Sequence, residues 1–171
     1  MRKDIIIEST NFNLMKGVSI RQIEPVDMHD PKGLTYELFK GIHGMQVTYC
    51  TRNVGKIFGD HYHRGDDPSK NPERVVLLSG SCAFIACNGV ETEIHFLNQT
   101  PLEIIIQPSV IHAFFPRENI SFIEYRSTVY NHENNDTFTF GTFKTHLEMI
   151  ELPINNRAIS YYQENISRYK L

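Results

Sequence analysis

The sequence predicts an all-β protein built as an antiparallel sandwich or barrel, and three observations carry that prediction. Its apolar runs are short, they are separated by turn residues at close spacing, and they are rich in β-branched and aromatic side chains. In chain order, a strand is expected around residues 18–23. Residues 45–50 (Met45-Gln46-Val47-Thr48-Tyr49-Cys50) alternate apolar and polar, as a half-buried strand does. Arg74-Val75-Val76-Leu77-Leu78 is a short apolar run stopped by Ser79-Gly80. Residues 81–87 follow, and Asn88-Gly89 closes them. Asn-Gly between two apolar segments predicts a tight hairpin, because both turn residues must accept positive φ. Residues 90–96, 102–106, 120–128 and 137–140 complete the series. Residues 1–34 read as an irregular lead-in carrying the first strand, and 35–150 as the barrel. Residues 151–171 read as a closing α-helix packed on its outside: Asn156 can cap it, and Ala158, Ile159, Tyr162, Ile166 and Tyr169 fall near one stripe.

Composition narrows the function. With 171 residues, 40% apolar and 22% charged, the chain suffices for one ordinary core and is short for two domains. The net charge is −3 and no run of lysine or arginine occurs, so attraction to nucleic acid or anionic lipid has no source. A small-molecule ligand in a pocket is the expected partner. No stretch reaches transmembrane length, and Met1-Arg2-Lys3-Asp4 followed by three isoleucines and Glu8 lacks the apolar centre of a signal peptide. Cys50, Cys82 and Cys87 are three and cannot all pair; Cys82 and Cys87, five apart on one strand, face opposite ways. Reduced thiols in a cytoplasmic protein are expected.

One constellation carries chemistry: His61-Tyr62-His63, then Glu73, then His112. Alternation along a strand puts His61 and His63 on one face and Tyr62 on the other. Glu73 opens the next strand, and a hairpin pairing is expected to set its carboxylate beside the two histidines, with His112 arriving from a neighbouring strand. Three imidazoles and a carboxylate suit a divalent transition metal (Zn, Fe, Mn, Ni or Co) with positions left open. The loop between them, Arg64 to Pro72, must begin and end at the site and so forms part of its rim; Asp66 and Asp67 read as solvated or hydrogen-bonding loop residues.

The joint spacing Gly55-x5-His61-x-His63, Glu73-x6-Gly80 and Pro108-Ser109-Val110-Ile111-His112 resembles the two motifs of the cupin superfamily over roughly residues 45–130. The resemblance implies a double-stranded β-helix, that is, a jelly-roll barrel, often paired as a homodimer. Here the gap from His63 to Glu73 is longer than in the motif, and Ser109 stands where the motif has glycine. Asp30-Pro31-Lys32-Gly33 through Glu37, Phe58-Gly59-Asp60-His61-Tyr62, and Tyr125-Arg126-Ser127-Thr128-Val129-Tyr130 resemble segments of nucleotide-sugar cupins, the last one a segment of 3,5-epimerases of dTDP-4-keto-6-deoxyhexoses. His61-Tyr62-His63 with Glu73 looks more like the metal-binding cupin domain of capsular-polysaccharide synthesis reductases.

These resemblances imply proton abstraction beside a ketone, in an epimerase or isomerase acting on a keto-sugar or sugar nucleotide in polysaccharide biosynthesis. Such chemistry needs a base, an acid and a group that stabilises the enolate. A metal-free His61 would be the base, with Tyr125 or Tyr130 returning the proton. A ligated His61 has no free lone pair, and the metal would polarise the ketone instead. The epimerases typically carry Gln where His63 stands, which favours the metal reading. Gln46 and Phe114 are candidates to line the substrate pocket. Two other classes use the same ligands: a non-catalytic small-molecule-binding cupin and a non-haem iron dioxygenase.

Overall fold

The computed structural model describes residues 16–139 apart from 30, 40, 45, 89–91, 132, 134 and 135. The expected C-terminal helix and residues 1–15 of the lead-in lie outside the described residues. Within them run ten strands: β1 (Val18–Gln22), β2 (Gln46–Arg52), β3 (Phe58–His63), β4 (Glu73–Ser79), β5 (Cys82–Cys87), β6 (Thr92–Leu97), β7 (Leu102–Ile106), β8 (Ile111–Pro116), β9 (Ile120–Arg126) and β10 (Thr137–Thr139). They form two antiparallel sheets, ordered β1-β7-β4-β9-β2 and β10-β3-β8-β5-β6. Every expected strand is present within a few residues of its predicted bounds. No helix among the described residues is long and apolar enough to cross a membrane.

The core lies between the sheets. Val75, Leu77, Ile104, Ile106 and Phe122 from the first sheet meet Phe84, Ala86 and Phe114 from the second, and all are buried. A fully buried ring such as Phe84 or Phe122 contributes about 2–3 kcal/mol. The other face of the second sheet is apolar too: Ala83, Ile85, Ile111, Ala113 and Phe115 are buried there. Cys82 belongs to the first cluster and Cys87 to the second, so the strand does turn them to opposite faces. All three thiols are free.

β5 and β6 pair as expected, with Cys87 opposite Thr92; residues 89–91 of the expected turn lie outside the described residues. One expected connection needs correction: β3 and β4 do not form a hairpin. β3 pairs with β8 and β10, whereas β4 pairs with β7 and β9 in the opposite sheet. The segment 64–72 holds two prolines and a 3₁₀ turn at Pro68–Lys70. It crosses from one sheet to the other, so Glu73 faces the histidines across the barrel and not from beside them.

The face on which the histidines appear is set by a β-bulge. Phe58 points into the core, stacked on Phe114 and Phe122 with centroids 4.7 and 4.8 Å away. Strict alternation would then put Asp60 and Tyr62 inside. The register with β8 shifts between Gly59 and His61, where Gly59 and Asp60 have φ of 82° and 53°. The extra residue reverses the parity, as bulges do. His61 and His63 therefore face inward, while Tyr62 goes outward against Phe138, 5.2 Å between centroids. Gly80, the glycine of the first motif, ends β4 at φ 78°, and a Cβ there would lie 2.4 Å from the Asn119 carbonyl oxygen. Ser109 also has a left-handed φ, 66°, at the motif position where glycine is usual. A non-glycine residue there costs about 1–2 kcal/mol. Ser109→Gly is expected to raise stability by about 0.5–1 kcal/mol after the entropy of glycine is counted, read as a higher urea midpoint at unchanged slope.

Candidate metal centre

β3, β4 and β8 deliver the four expected ligands to one point. His61 is the direct partner of His112 in the β3–β8 register. One donor atom from each of His61, His63, Glu73 and His112 lies within 4.8 Å of all the others. Donors on one tetrahedral zinc-sized ion stand about 3.4 Å apart, so the cluster would contract by about an ångström on taking up such an ion. Glu73 Oε2 lies 3.2 Å from His63 Nε2 and 3.1 Å from His112 Nε2. The ring of His61 is 4.7 Å from each of the other two.

The tautomers point the same way. His61 Nδ1 is 2.9 Å from the Gly59 carbonyl, His112 Nδ1 is 3.1 Å from the Val110 carbonyl, and His63 Nδ1 is 3.1 Å from Asp136 Oδ1. Each Nδ1 therefore carries the hydrogen and donates it outward. A neutral ring then keeps its lone pair on Nε2, facing the cluster. Outer partners that fix ring orientation in this way accompany metal-ligating histidines almost universally. His61 Nε2 is buried and has no hydrogen-bond partner, a cost that a cation would remove. Burial first, and then the neighbouring His112, drive the His61 pKa down to about 3, so the ring is neutral as a ligand must be. Burial alone would raise Glu73, but His112 and His63, wherever a second hydrogen on Nε2 makes them cationic donors, outweigh it and hold its carboxyl well below the usual range.

Asp136, which the sequence reading missed, orders the outer layer. It is buried at 3% exposure. Besides His63 it accepts the backbone N–H of Gly65 at 2.8 Å and of Asp67 at 3.1 Å. One carboxylate thus aims a ligand and pins the crossing loop. Burial would raise its pKa, but the two N–H donors and His63 lower it overall. Asp67 in turn accepts from Ser69 N at 2.8 Å and caps the 3₁₀ turn, while Asp66 pairs with Arg64 on the surface. This turn brings in a second missed residue: Lys70 Nζ is 3.3 Å from His63 Nε2.

The remaining expected site residues divide. Tyr130 stays near the cluster, its ring 4.6 Å from the Arg126 guanidinium and 6.0 Å from Lys70 Nζ. Gln46 faces inward and its Oε1 accepts the Tyr130 backbone N–H at 2.8 Å, so it positions that tyrosine. Tyr125 is not brought to the histidines. On β9 it alternates with Phe122, Glu124 and Arg126, and its partners Val47 and Arg74 lie on the outer face. There it stacks on Phe39 at 4.5 Å; strand parity overturns its assignment to the site. Phe114 is correctly on the face of His112, yet it is 3% exposed and taken up by Phe58 and Phe84. It is core packing and not a ligand contact.

The site is a cluster of three histidines and one glutamate facing the inside of a β-barrel. Its architecture, two five-stranded antiparallel sheets, is the jelly-roll barrel expected from the sequence. No protein-family model matches the sequence, and no curated protein matches it. Solved structures do. The chain is similar to QdtA, a sugar 3,4-ketoisomerase from Thermoanaerobacterium thermosaccharolyticum in complex with TDP, at 19% identity and a TM-score of 0.59, covering 81% of this chain and 97% of that one. It is similar to the WlaRB TDP-quinovose 3,4-ketoisomerase from Campylobacter jejuni, at 20% identity and a TM-score of 0.60, covering 78% and 99%. It is also similar to RmlC, a dTDP-6-deoxy-D-glucose-3,5-epimerase from Legionella pneumophila in complex with dTDP-4-keto-L-rhamnose, at 16% identity and a TM-score of 0.61, covering 81% and 80%. At such identities the likeness establishes the fold.

Proposed function

We propose that this protein is a metal-dependent cupin isomerase or epimerase acting on a keto-sugar carried by a nucleotide, in polysaccharide biosynthesis. The observation that carries the metal half is the set of three Nδ1–H groups tied outward, which turns the Nε2 atoms and Glu73 toward one another. The substrate half is supported by fold likeness to ketoisomerases and an epimerase of dTDP-sugars. His61, His63, Glu73 and His112 would hold the ion, a divalent transition metal such as Zn, Fe, Mn or Ni. When bound, such an ion supplies Lewis-acid polarisation of a ketone oxygen.

The rest falls to the chain. Asp136 and the Gly59 and Val110 carbonyls hold the imidazoles in register. Tyr130, fixed through Gln46, is the tyrosine assigned to proton transfer, since Tyr125 faces the other way. His61 is a poor candidate for a metal-free base: a ring held neutral down to about pH 3 lies far below the pKa near operating pH that a general base needs. A homodimer belongs to the same proposal and is checked by sedimentation equilibrium.

The test combines two measurements on protein purified without added metal. Metal analysis is expected to find an ion at the cluster, and dTDP-4-keto-6-deoxyglucose in D2O is expected to take up deuterium beside its ketone. His63→Ala should abolish both. Metal without exchange, together with thermal stabilisation by the nucleotide sugar, would assign the protein to non-catalytic binding.

A further inference from the structure

The loop 64–72 brings a cation to the metal cluster. Lys70 closes the 3₁₀ turn, half-buried, and its ammonium donates to His63 Nε2 at 3.3 Å. An ammonium only donates, so the bond uses the single lone pair of a neutral imidazole. That lone pair is the one His63 would give to an ion, because its Nδ1 is already committed to Asp136. The two cations exclude each other at this atom, and like charge adds repulsion wherever both are close. The position of Lys70 is built and not incidental: Asp67 caps the turn, the Ser69 hydroxyl lies 3.4 Å from Arg126 Nη1, and the Ser127 hydroxyl donates to the Pro68 carbonyl at 2.6 Å.

From this geometry we propose that Lys70 is an internal competitor for the metal site, holding the lone pair of His63 in the metal-free protein and setting how tightly an ion binds. The proposal rests on the metal reading above. Loading requires the ammonium to leave Nε2, and the Thr137 hydroxyl at 3.5 Å and the Tyr130 ring at 6.0 Å are its nearest alternatives. The lysine would then stand beside the tyrosine assigned to proton transfer. The loop that the sequence shows as a lengthened gap thereby becomes a control on occupancy.

The experiment measures zinc affinity of the full chain by competition with a chromophoric chelator, after stripping the protein of metal, for wild type, Lys70→Met and Lys70→Arg. Lys70→Met keeps most of the side-chain volume without the charge and is expected to bind zinc at least tenfold more tightly. Lys70→Arg keeps the charge and should stay within about threefold of wild type. The rise in melting temperature on adding zinc should be larger in Lys70→Met than in wild type, a readout that a merely structural lysine would not move in that direction. Equal or weaker zinc binding by a folded Lys70→Met, or by Lys70→Gln should the first variant fail to fold, overturns the proposal. Zinc binding by none of the proteins overturns the metal reading itself, and this inference with it.

Discussion

Glu73→Gln is expected to cost on the order of 100-fold or more in metal affinity while leaving the barrel folded. Changing a group that only orients a ligand typically costs 10–100-fold, and Glu73 belongs to the donor set itself. The substitution keeps the shape of the side chain and removes the one negative charge among the four donors; the other three are imidazoles. Its Oε2 stands 3.1 and 3.2 Å from two of those rings, so the loss is of charge at short range and not of a distant field. The check is metal content after gel filtration in metal-free buffer, followed by chelator competition. Wild-type affinity in Glu73→Gln would mean that the carboxylate is not a ligand. The three imidazoles would then hold the ion by themselves, and Glu73 would be left free to act as an acid or base beside it.

The legibility of this fold in its sequence follows where burial is one-sided. β2 alternates inward Gln46, Thr48 and Cys50 with exposed Val47 and Tyr49, and that period was readable. β8 is buried along its whole length, so Ile111 to Pro116 carries no alternation; a strand there followed only from the need to bring His112 home. The four donors were legible through spacing. The parity that aims two of them was not, because it depends on a bulge at Gly59 and Asp60 that one cannot count from residue types alone. Had alternation run unbroken from Phe58, the histidines would face out. Parity also explains the fate of the tyrosines: without the end of β9 at Arg126, nothing separates Tyr125, on the outer face, from Tyr130, beyond the strand.

Lys70 and Asp136 escaped for a different reason. Each acts through a tertiary contact made by irregular chain, and neither has a periodic neighbour to signal it. Lys70 sits in a loop rich in proline and charge, the composition of a solvated excursion. Asp136 lies 73 residues from His63, next to a polar run of asparagines. A carboxylate in such a run is usually solvent-facing. The long gap in the motif was a usable clue, however: a loop that starts at one ligand and ends at another needs an anchor, and a buried acid is a strong way to supply one.

That anchoring role makes Asp136→Ala the second large expected effect, a loss of about 3–5 kcal/mol in stability and 10–100-fold in metal affinity. Two backbone N–H groups, of Gly65 and Asp67, would lose their acceptor at once, and the Nδ1–H of His63 would keep only the Thr137 hydroxyl at 3.3 Å. Leaving a buried donor unsatisfied costs about 1–3 kcal/mol, and water entering the space would recover part of it. For a domain of this size the fall in melting temperature is about 10 °C or more. The measurement must be made on metal-free protein, since a bound ion adds stability by mass action and would fold the two effects into one. Asp136→Asn separates them. Its amide oxygen can still accept from the loop, while its NH2 group cannot accept from His63, so stability should fall less than in Asp136→Ala and metal affinity should fall nearly as far. If both variants lose stability but bind metal like wild type, Asp136 anchors the loop only, and the orientation of His63 is set by strand pairing with Thr137.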